Sequence, residues 1–122
     1  MFSVAPRTVA TGYKGSLWTG AVTEDGAILV GGLRGTLYRS ADQGANWSAI
    51  SSGAKSSLTD IATRGQDVVA VGLDGSVSLS SDQGLTFKSV QREDRLPLTA
   101  VVAADKNHWQ MFSEHGVLDQ AR

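Results

Sequence analysis

Short apolar runs of four to six residues alternate along the chain with turns rich in glycine and aspartate. Leu17–Val22 comes first, and the turn Glu24-Asp25-Gly26 separates it from Ala27–Gly31. The second run is nearly continuously apolar, as expected of a strand that is covered on both faces. Runs of this length between turn residues predict β-strands joined by tight hairpins. Because the spacing recurs to the end of the chain, the pattern predicts an all-β protein.

An eight-residue motif, S-x-D-Q-G-x-x-aromatic, occurs twice at an interval of forty positions. A motif repeated at about this period indicates one supersecondary unit copied along the chain. Serine and aspartate favour turns because their side chains bond to nearby backbone groups, and glycine tolerates a positive φ. Each copy is predicted to be a rigid turn between two strands, closed by a large apolar anchor. The predicted structural residues are Ser40, Asp42, Gly44 and Trp47 in the first copy and Ser80, Asp82, Gly84 and Phe87 in the second.

This motif resembles the Asp-box, also called the bacterial neuraminidase repeat. The segments that precede it, residues 32–40 (GLRGTLYRS) and 72–80 (GLDGSVSLS), are similar to those of the photosystem II stability/assembly-factor-like β-propellers. The resemblance covers nearly the whole chain. It implies four-stranded antiparallel propeller blades and a non-catalytic scaffold that binds partner proteins, in the original family during photosystem assembly. Proteins of that family are often extracytoplasmic.

The resemblance divides the chain, residues 1–122, into a single partial propeller of about three blades. Blade one is predicted at residues 17–50, blade two at 58–90, and three strands of blade three at 98–119. Residues 2–5 are predicted to be a blade-completing strand, because their sequence resembles the strand that follows the second motif.

Three blades cannot form a closed ring, since closed propellers have at least about four. Both ends of a three-blade arc are therefore expected to expose apolar surface. Two alternatives follow from the sequence. Either the chain is a fragment of a longer propeller, or copies assemble as a homo-oligomer, with a dimer forming a six-bladed ring. In such a dimer, residues 2–5 of one chain would complete the third blade of the other.

Composition limits the remaining function classes. The net charge of −1 provides no basic field for nucleic acid. The chain has no cysteine, which excludes disulfides and thiolate chemistry and is compatible with any compartment. No apolar run approaches the length of a membrane span. The first five residues do not form a signal peptide, so the sequence predicts a soluble chain without a targeting segment.

Candidate ligand- or partner-binding residues lie in the hairpins between the second and third strands of each blade, on the face that opens on a propeller's central channel. The glycine frame of these hairpins is kept while the inner residues change. The candidates are Arg34, Asp74, Glu114 and His115. Solvated turn positions without a binding role would show the same variation, and this alternative stays open.

No catalytic residue, metal site or cofactor is predicted. Asp42 and Asp82 stand on separate blade corners, whereas a glycosidase needs two carboxyls within roughly 5–10 Å. The alternative function is part of a carbohydrate-active, sialidase-like propeller, because Asp-boxes also occur in glycoside hydrolases. Three tryptophans that could stack on sugars, Trp18, Trp47 and Trp109, are predicted to pack in the core instead.

Overall fold

The computed structural model describes residues 17–105, 108–113 and 116–121, and eleven strands account for most of them. The strands are β1 (Leu17–Val22), β2 (Ile28–Gly32), β3 (Leu37–Ser40), β4 (Ser48–Ala49), β5 (Leu58–Arg64), β6 (Asp67–Gly72), β7 (Ser76–Ser80), β8 (Lys88–Gln91), β9 (Leu98–Asp105), β10 (His108–Ser113) and β11 (Gly116–Ala121). The apolar runs of the sequence lie in these strands, because each run supplies side chains that a sheet can bury.

Strands that are neighbours in sequence pair antiparallel and form three sheets. The first sheet has the order β1-β2-β3-β4 and the second β5-β6-β7-β8, while the third contains β11-β10-β9 among the described residues. The prediction of an all-β fold with four-stranded antiparallel sheets is confirmed. The strand predicted at residues 2–5 lies outside the described part of the chain.

The first two sheets are copies of one unit. Leu17 pairs with Gly32 in the first sheet and Leu58 pairs with Gly72 in the second, and a shift in register follows each pair. Repeated sequence therefore produces repeated hydrogen-bond register, which places equivalent residues on equivalent faces.

The second and third strands of each four-stranded sheet are joined by a short 3-10 turn, Leu33–Gly35 in the first sheet and Leu73–Gly75 in the second. The middle residue of each turn has a left-handed backbone, with φ 58° at Arg34 and 62° at Asp74. Within the described residues, no helix has the length and apolar content needed to cross a membrane.

Each 3-10 turn lies against the loop by which the chain passes to the next sheet. In the first loop, residues 51–57, the Ser52 hydroxyl donates a hydrogen bond of 2.7 Å to the carbonyl oxygen of Gly35. In the second loop, the Arg92 N–H donates a hydrogen bond of 2.9 Å to the carbonyl oxygen of Gly75. The end of the sheets that carries both turns and both loops is called the turn side below.

Two apolar clusters lie between the sheets, one on each side of the second sheet. The cluster between the first and second sheets contains Leu29, Leu37, Leu58, Ile61, Val68 and Ala70. The cluster between the second and third contains Val69, Val71, Val77, Leu98, Val101, Trp109 and Met111. Alternate residues of β6 enter different clusters because successive side chains of a strand point to opposite faces. The second sheet is thus covered on both faces.

The predicted core position of the three tryptophans is correct for one of them. Trp109 is fully buried, and Trp47 is half-buried. Trp18 has 53% of its side chain exposed, so its predicted core packing is wrong. Trp18 lies at the register shift of β1, between the paired residues Leu17 and Thr19, and it belongs to neither apolar cluster.

Candidate functional site

The first copy of the repeated motif folds as a closed hydrogen-bonded turn after β3. The Ser40 hydroxyl donates to Asp42 Oδ1 at 2.8 Å and accepts a bond from the Gly44 N–H at 2.8 Å. The Asn46 backbone N–H donates to Asp42 Oδ1 at 2.8 Å, and its side-chain amide donates to Asp42 Oδ2 at 2.7 Å. Both oxygens of the aspartate are therefore used by its own turn.

The second copy repeats this network after β7. The Ser80 hydroxyl donates to Asp82 Oδ1 at 2.7 Å and accepts from the Gly84 N–H at 2.9 Å. Thr86 takes the place of the asparagine, since its N–H donates to Oδ1 at 2.9 Å and its hydroxyl to Oδ2 at 2.5 Å. Two different side chains thus satisfy the same carboxylate geometry.

The aromatic residues that end the two motifs have different environments. The Trp47 indole N–H donates a hydrogen bond of 3.1 Å to the carbonyl oxygen of Gly44, which closes the first turn. Phe87 is partly buried and packs against the cluster between the first and second sheets. The aromatic residue therefore stabilises its own turn in the first copy and packs against the core in the second.

The two motif carboxyls are poor proton donors at neutral pH. Hydrogen bonds from the side chain and backbone of Asn46, followed by that from Ser40, lower the pKa of Asp42 to about 2. Hydrogen bonds from the side chain and backbone of Thr86, followed by that from Ser80, lower the pKa of Asp82 to about 2. A general acid works best with a pKa near the operating pH, and these carboxyls stay ionised instead.

We expect the stability contributed by the Asp82 carboxylate to be present above about pH 4 and to be lost as the pH falls toward 2. The folded-state pKa of about 2 lies below the ordinary value of 3.8, so protonation favours the unfolded chain. Urea unfolding between pH 5 and 2 should therefore show that Asp82→Asn and the unchanged protein converge in free energy of unfolding at low pH. Ser81→Ala, in the same turn, should keep the original pH dependence. A difference between Asp82→Asn and the unchanged protein that stays constant with pH would contradict the expectation.

Arg39 joins the first two sheets at the motif corner, a role that the motif pattern did not reveal. Its side chain is only 9% exposed and pairs with Asp25 Oδ2 at 2.9 Å. Its Nε–H also donates a hydrogen bond of 3.1 Å to the carbonyl oxygen of Gln83, in the second motif. One sequence feature could have indicated this role. Arg39 follows Leu37 by two positions, so the two side chains lie on the same face of the strand, and a charged residue on an apolar face needs a partner.

A cleft of about 240 Å³ lies beside this corner, between the first motif and Leu85 of the second. The charged residues that line it are Arg39 and Asp42, and both are already engaged in the bonds described above. The cleft is therefore lined by apolar side chains, among them Ile50 and Leu85, and by charged groups that are already paired.

Asp74, one of the predicted binding residues on the turn side, is engaged by two neighbouring side chains. Arg95 makes a bidentate contact, with Nε 3.0 Å from Oδ1 and a terminal nitrogen 2.7 Å from Oδ2. The Gln91 amide donates to Oδ2 at 2.9 Å. Hydrogen bonding from Arg95 lowers the pKa of Asp74 and correspondingly raises the pKa of Arg95. The charge of this turn is therefore neutralised within the chain.

Arg34, at the equivalent position of the first sheet, has different surroundings. Its side chain is exposed, and among the described residues no side chain pairs with its guanidinium. Its backbone N–H donates a bond of 3.2 Å to the Ser57 hydroxyl, which holds the turn against the loop of residues 51–57. That loop contains Lys55 and no acidic residue. The other two predicted binding residues, Glu114 and His115, lie outside the described residues.

No group of three or more metal-ligating side chains comes together within residues 17–105, 108–113 and the other described positions. The structure brings Arg34 and Asp74 onto equivalent turns of neighbouring sheets, and within the described residues no hydrogen bond or ion pair joins their side chains. The turn side thus combines a neutralised pair on one blade with an exposed cation on the next.

Comparison with known proteins identifies the fold. No protein-family model and no curated protein matches the sequence. Among solved structures, YCF48 from Cyanidioschyzon merolae superposes with a TM-score of 0.74 at 17% identity, over 95% of this chain and 41% of that one. A structure of YCF48 bound to a D1 peptide superposes with a TM-score of 0.77 at 14% identity, over 90% of this chain and 39% of that one. The chain thus spans about 40% of the length of these structures, and it has the fold of β-propeller blades.

Proposed function

We propose that the chain is a non-catalytic β-propeller module that binds an acidic segment of a partner protein on its turn side, with Arg34 as the anchoring residue. Two likenesses support a protein ligand. The sequence resembles the assembly-factor-like propellers, and a structure with the same fold, YCF48, was solved with a bound D1 peptide. The proposal transfers only the class of ligand, a protein segment, to this chain.

The charges of the two 3-10 turns on the turn side support an acidic ligand. In the second sheet, Asp74 and Arg95 form a carboxylate–guanidinium pair between turn and loop. In the first sheet the turn carries the opposite charge, Arg34, and the adjoining loop offers Lys55 instead of a carboxylate. A carboxylate from a partner would complete at Arg34 the kind of bidentate pair that the second sheet makes internally. This difference between equivalent turns is the observation that carries the proposal.

The repeated carboxyls support a binding role over catalysis. A carbohydrate-active propeller needs an acid that can give up a proton, together with a second carboxyl or another nucleophile. Asp42 and Asp82 are each used by their own turn and stay ionised. We propose that these turns are Asp-boxes and that their role is structural.

We further propose that the three sheets function within a closed ring. The remaining blades come either from a second copy or from further blades of a longer polypeptide. The lengths of the YCF48 structures, of which this chain spans about 40%, are compatible with several more blades.

The binding proposal is tested with an array of synthetic hexapeptides that have free or amidated carboxyl termini. We expect enrichment of peptides with aspartate, glutamate or a free carboxyl terminus, and weaker binding at higher salt. Arg34→Ala should reduce affinity about 10- to 100-fold, since a hydrogen bond to a charged group contributes about 1.5–3 kcal/mol. Lys88→Ala removes the same charge from the edge strand β8 and should leave binding unchanged.

Two results would contradict this function. The first is an array without preference for carboxylates. The second is an equal effect of Arg34→Ala and Lys88→Ala, which would mean that net charge, not the turn, governs binding.

A further inference from the structure

We infer that the cleft between the two motif corners is a second docking site, which takes an uncharged segment of a partner protein. The segment places one large apolar side chain between Ile50 and Leu85 and one backbone carbonyl oxygen against Arg39. Both walls of the cleft belong to the described residues, since it lies between the first motif and the second. The motifs follow β3 and β7 at the end opposite to the 3-10 turns, so this site is separate from Arg34.

The polar anchor of the cleft is Arg39, whose side chain is only 9% exposed. A guanidinium has five N–H donors. In Arg39, Nε bonds to the carbonyl oxygen of Gln83 and one terminal nitrogen, Nη2, bonds to Asp25. Within the described residues, the other terminal nitrogen, Nη1, has no hydrogen-bond partner, and it is not one of the fully buried polar atoms. Because Arg39 lines the cleft, Nη1 is available to a ligand there.

The repeated unit does not require an arginine at this position. Leu29 pairs with Arg39 in the first sheet and Val69 pairs with Leu79 in the second, so Leu79 is the equivalent residue. Leu79 packs against the apolar cluster between the second and third sheets. A charged side chain on such a face is costly to bury unless its polar groups are satisfied. An accessible donor of Arg39 without a partner, beside apolar side chains, is therefore the feature that indicates a ligand.

The surrounding charges favour a neutral hydrogen-bond acceptor. The charge of Arg39 is already balanced by Asp25 at 2.9 Å. Asp42 also lines the cleft, and its two oxygens accept hydrogen bonds from neutral groups of its own turn. A carboxylate in the cleft would approach Asp42, and a lysine or arginine side chain would approach the guanidinium of Arg39. A peptide carbonyl oxygen avoids both repulsions and accepts well from a charged donor.

The other lining residues favour an apolar side chain on a peptide. Leu85 is 53% exposed and Ile50 is half-buried. Since an apolar cavity of about 150 Å³ holds benzene, the cleft of about 240 Å³ has room for one leucine or phenylalanine side chain. Covering the exposed surface of Leu85 supplies the apolar contribution. Asn46 Oδ1 and the Ser48 hydroxyl, which have no hydrogen-bond partner among the described residues, can accept from a peptide N–H.

The experiment is an NMR titration of the chain with five capped pentapeptides. Each has glycine at every position except the centre, which is leucine, phenylalanine, alanine, lysine or glutamate. The leucine and phenylalanine peptides should bind at least about tenfold more tightly than the other three, since they bury more apolar surface and carry no charge. Binding should shift the backbone amide signals of Ala41, Ser48 and Leu85. Because the ligand is uncharged, added salt should not weaken binding.

Two matched tryptophan variants test where the peptide binds. Ala41→Trp places a large side chain in the cleft and should weaken binding of the leucine peptide at least about tenfold. Ser81→Trp makes the change at the equivalent position of the second motif, which does not line the cleft, and should leave the affinity unchanged. Both positions are exposed, and circular dichroism confirms that the variants are folded. Leu85→Ser removes one apolar wall and should weaken binding about tenfold.

Three results would overturn the inference. A preference for the lysine or glutamate peptide would mean that the cleft recognises charge. Equal effects of Ala41→Trp and Ser81→Trp would place the peptide elsewhere, and so would a titration that leaves the amide signals of the cleft unshifted.

Failure here and failure of the proposed function are separable. Arg34→Ala should leave binding of the leucine peptide unchanged, and Ala41→Trp should leave binding of acidic peptides unchanged. Loss of one kind of peptide binding in the unchanged protein therefore refutes one site and keeps the other.

Discussion

Replacing Gly35 with alanine should lower the free energy of unfolding by about 3–5 kcal/mol, since two separate costs combine at this residue. Gly35 has φ +78°, a conformation that L side chains rarely adopt. An added Cβ would also lie 2.1 Å from the carbonyl oxygen of Ala54, in the loop that covers the turn. Relief of that contact requires the loop to move, because the clashing atom is backbone. Such a loss is a large part of the 5–15 kcal/mol that stabilises a typical domain.

Two other glycines separate the two costs. Gly26 has φ +87° and no atom within 4 Å of an added Cβ, so Gly26→Ala should cost only about 1 kcal/mol of backbone strain. Gly72 has an extended backbone, but its added Cβ would lie 2.2 Å from the carbonyl oxygen of Ser57. Gly72→Ala should therefore cost about 1–3 kcal/mol through close approach alone. Urea unfolding of the three variants measures the losses, and equal losses at Gly35 and Gly26 would refute the role of the covering loop.

Replacing Trp109 with alanine should cost about 3–5 kcal/mol, the usual range for removing a buried tryptophan. Trp109 is fully buried between the second and third sheets. The Arg64 guanidinium lies over its ring, 4.2 Å from the centroid, and contributes a cation–π contact. Both the apolar packing and this contact are lost in the alanine variant. The third sheet should therefore separate from the second at lower urea concentration.

Two control variants define the origin of that loss. Trp109→Phe keeps an aromatic ring and should cost about 1–2 kcal/mol, since the Trp109 indole N–H is buried without an acceptor among the described residues. Leu85→Ala shortens a side chain that is 53% exposed and should change the free energy of unfolding by less than about 0.5 kcal/mol. Urea titrations followed by tryptophan fluorescence and circular dichroism provide the values. A loss below about 1 kcal/mol for Trp109→Ala would contradict the packing described for the third sheet.

The turn chemistry of the motifs was predictable because its interactions are local. Ser40, Asp42 and Gly44 lie within five consecutive positions, so their spacing alone restricts the backbone to a turn that satisfies the carboxylate. The same applies to the second copy. Repetition at an interval of forty positions then indicated the all-β unit, and the observed sheets confirm that fold class.

The pairing of the candidate residues was not predictable in this way. Asp74 and Arg95 are 21 positions apart, and Arg39 contacts the carbonyl oxygen of Gln83 across 44 positions. From the sequence alone, Asp74 and Arg34 were equivalent, since both are variable residues inside the same kind of turn. The loop after β8 brings Arg95 to Asp74 and neutralises its charge, whereas the charge of Arg34 stays exposed.

By itself, the sequence determined the strands, the repeated turns and the antiparallel sheet, because each depends on residues that are neighbours along the chain. The tertiary structure decided which strand faces are covered and where a strand is irregular, and so that Trp109 is buried and Trp18 exposed. It also decided which charges are paired. The physical reason is that burial and ion pairing depend on how sheets stack and where loops cross them, and alternation along a strand is the same for a covered face and an open one.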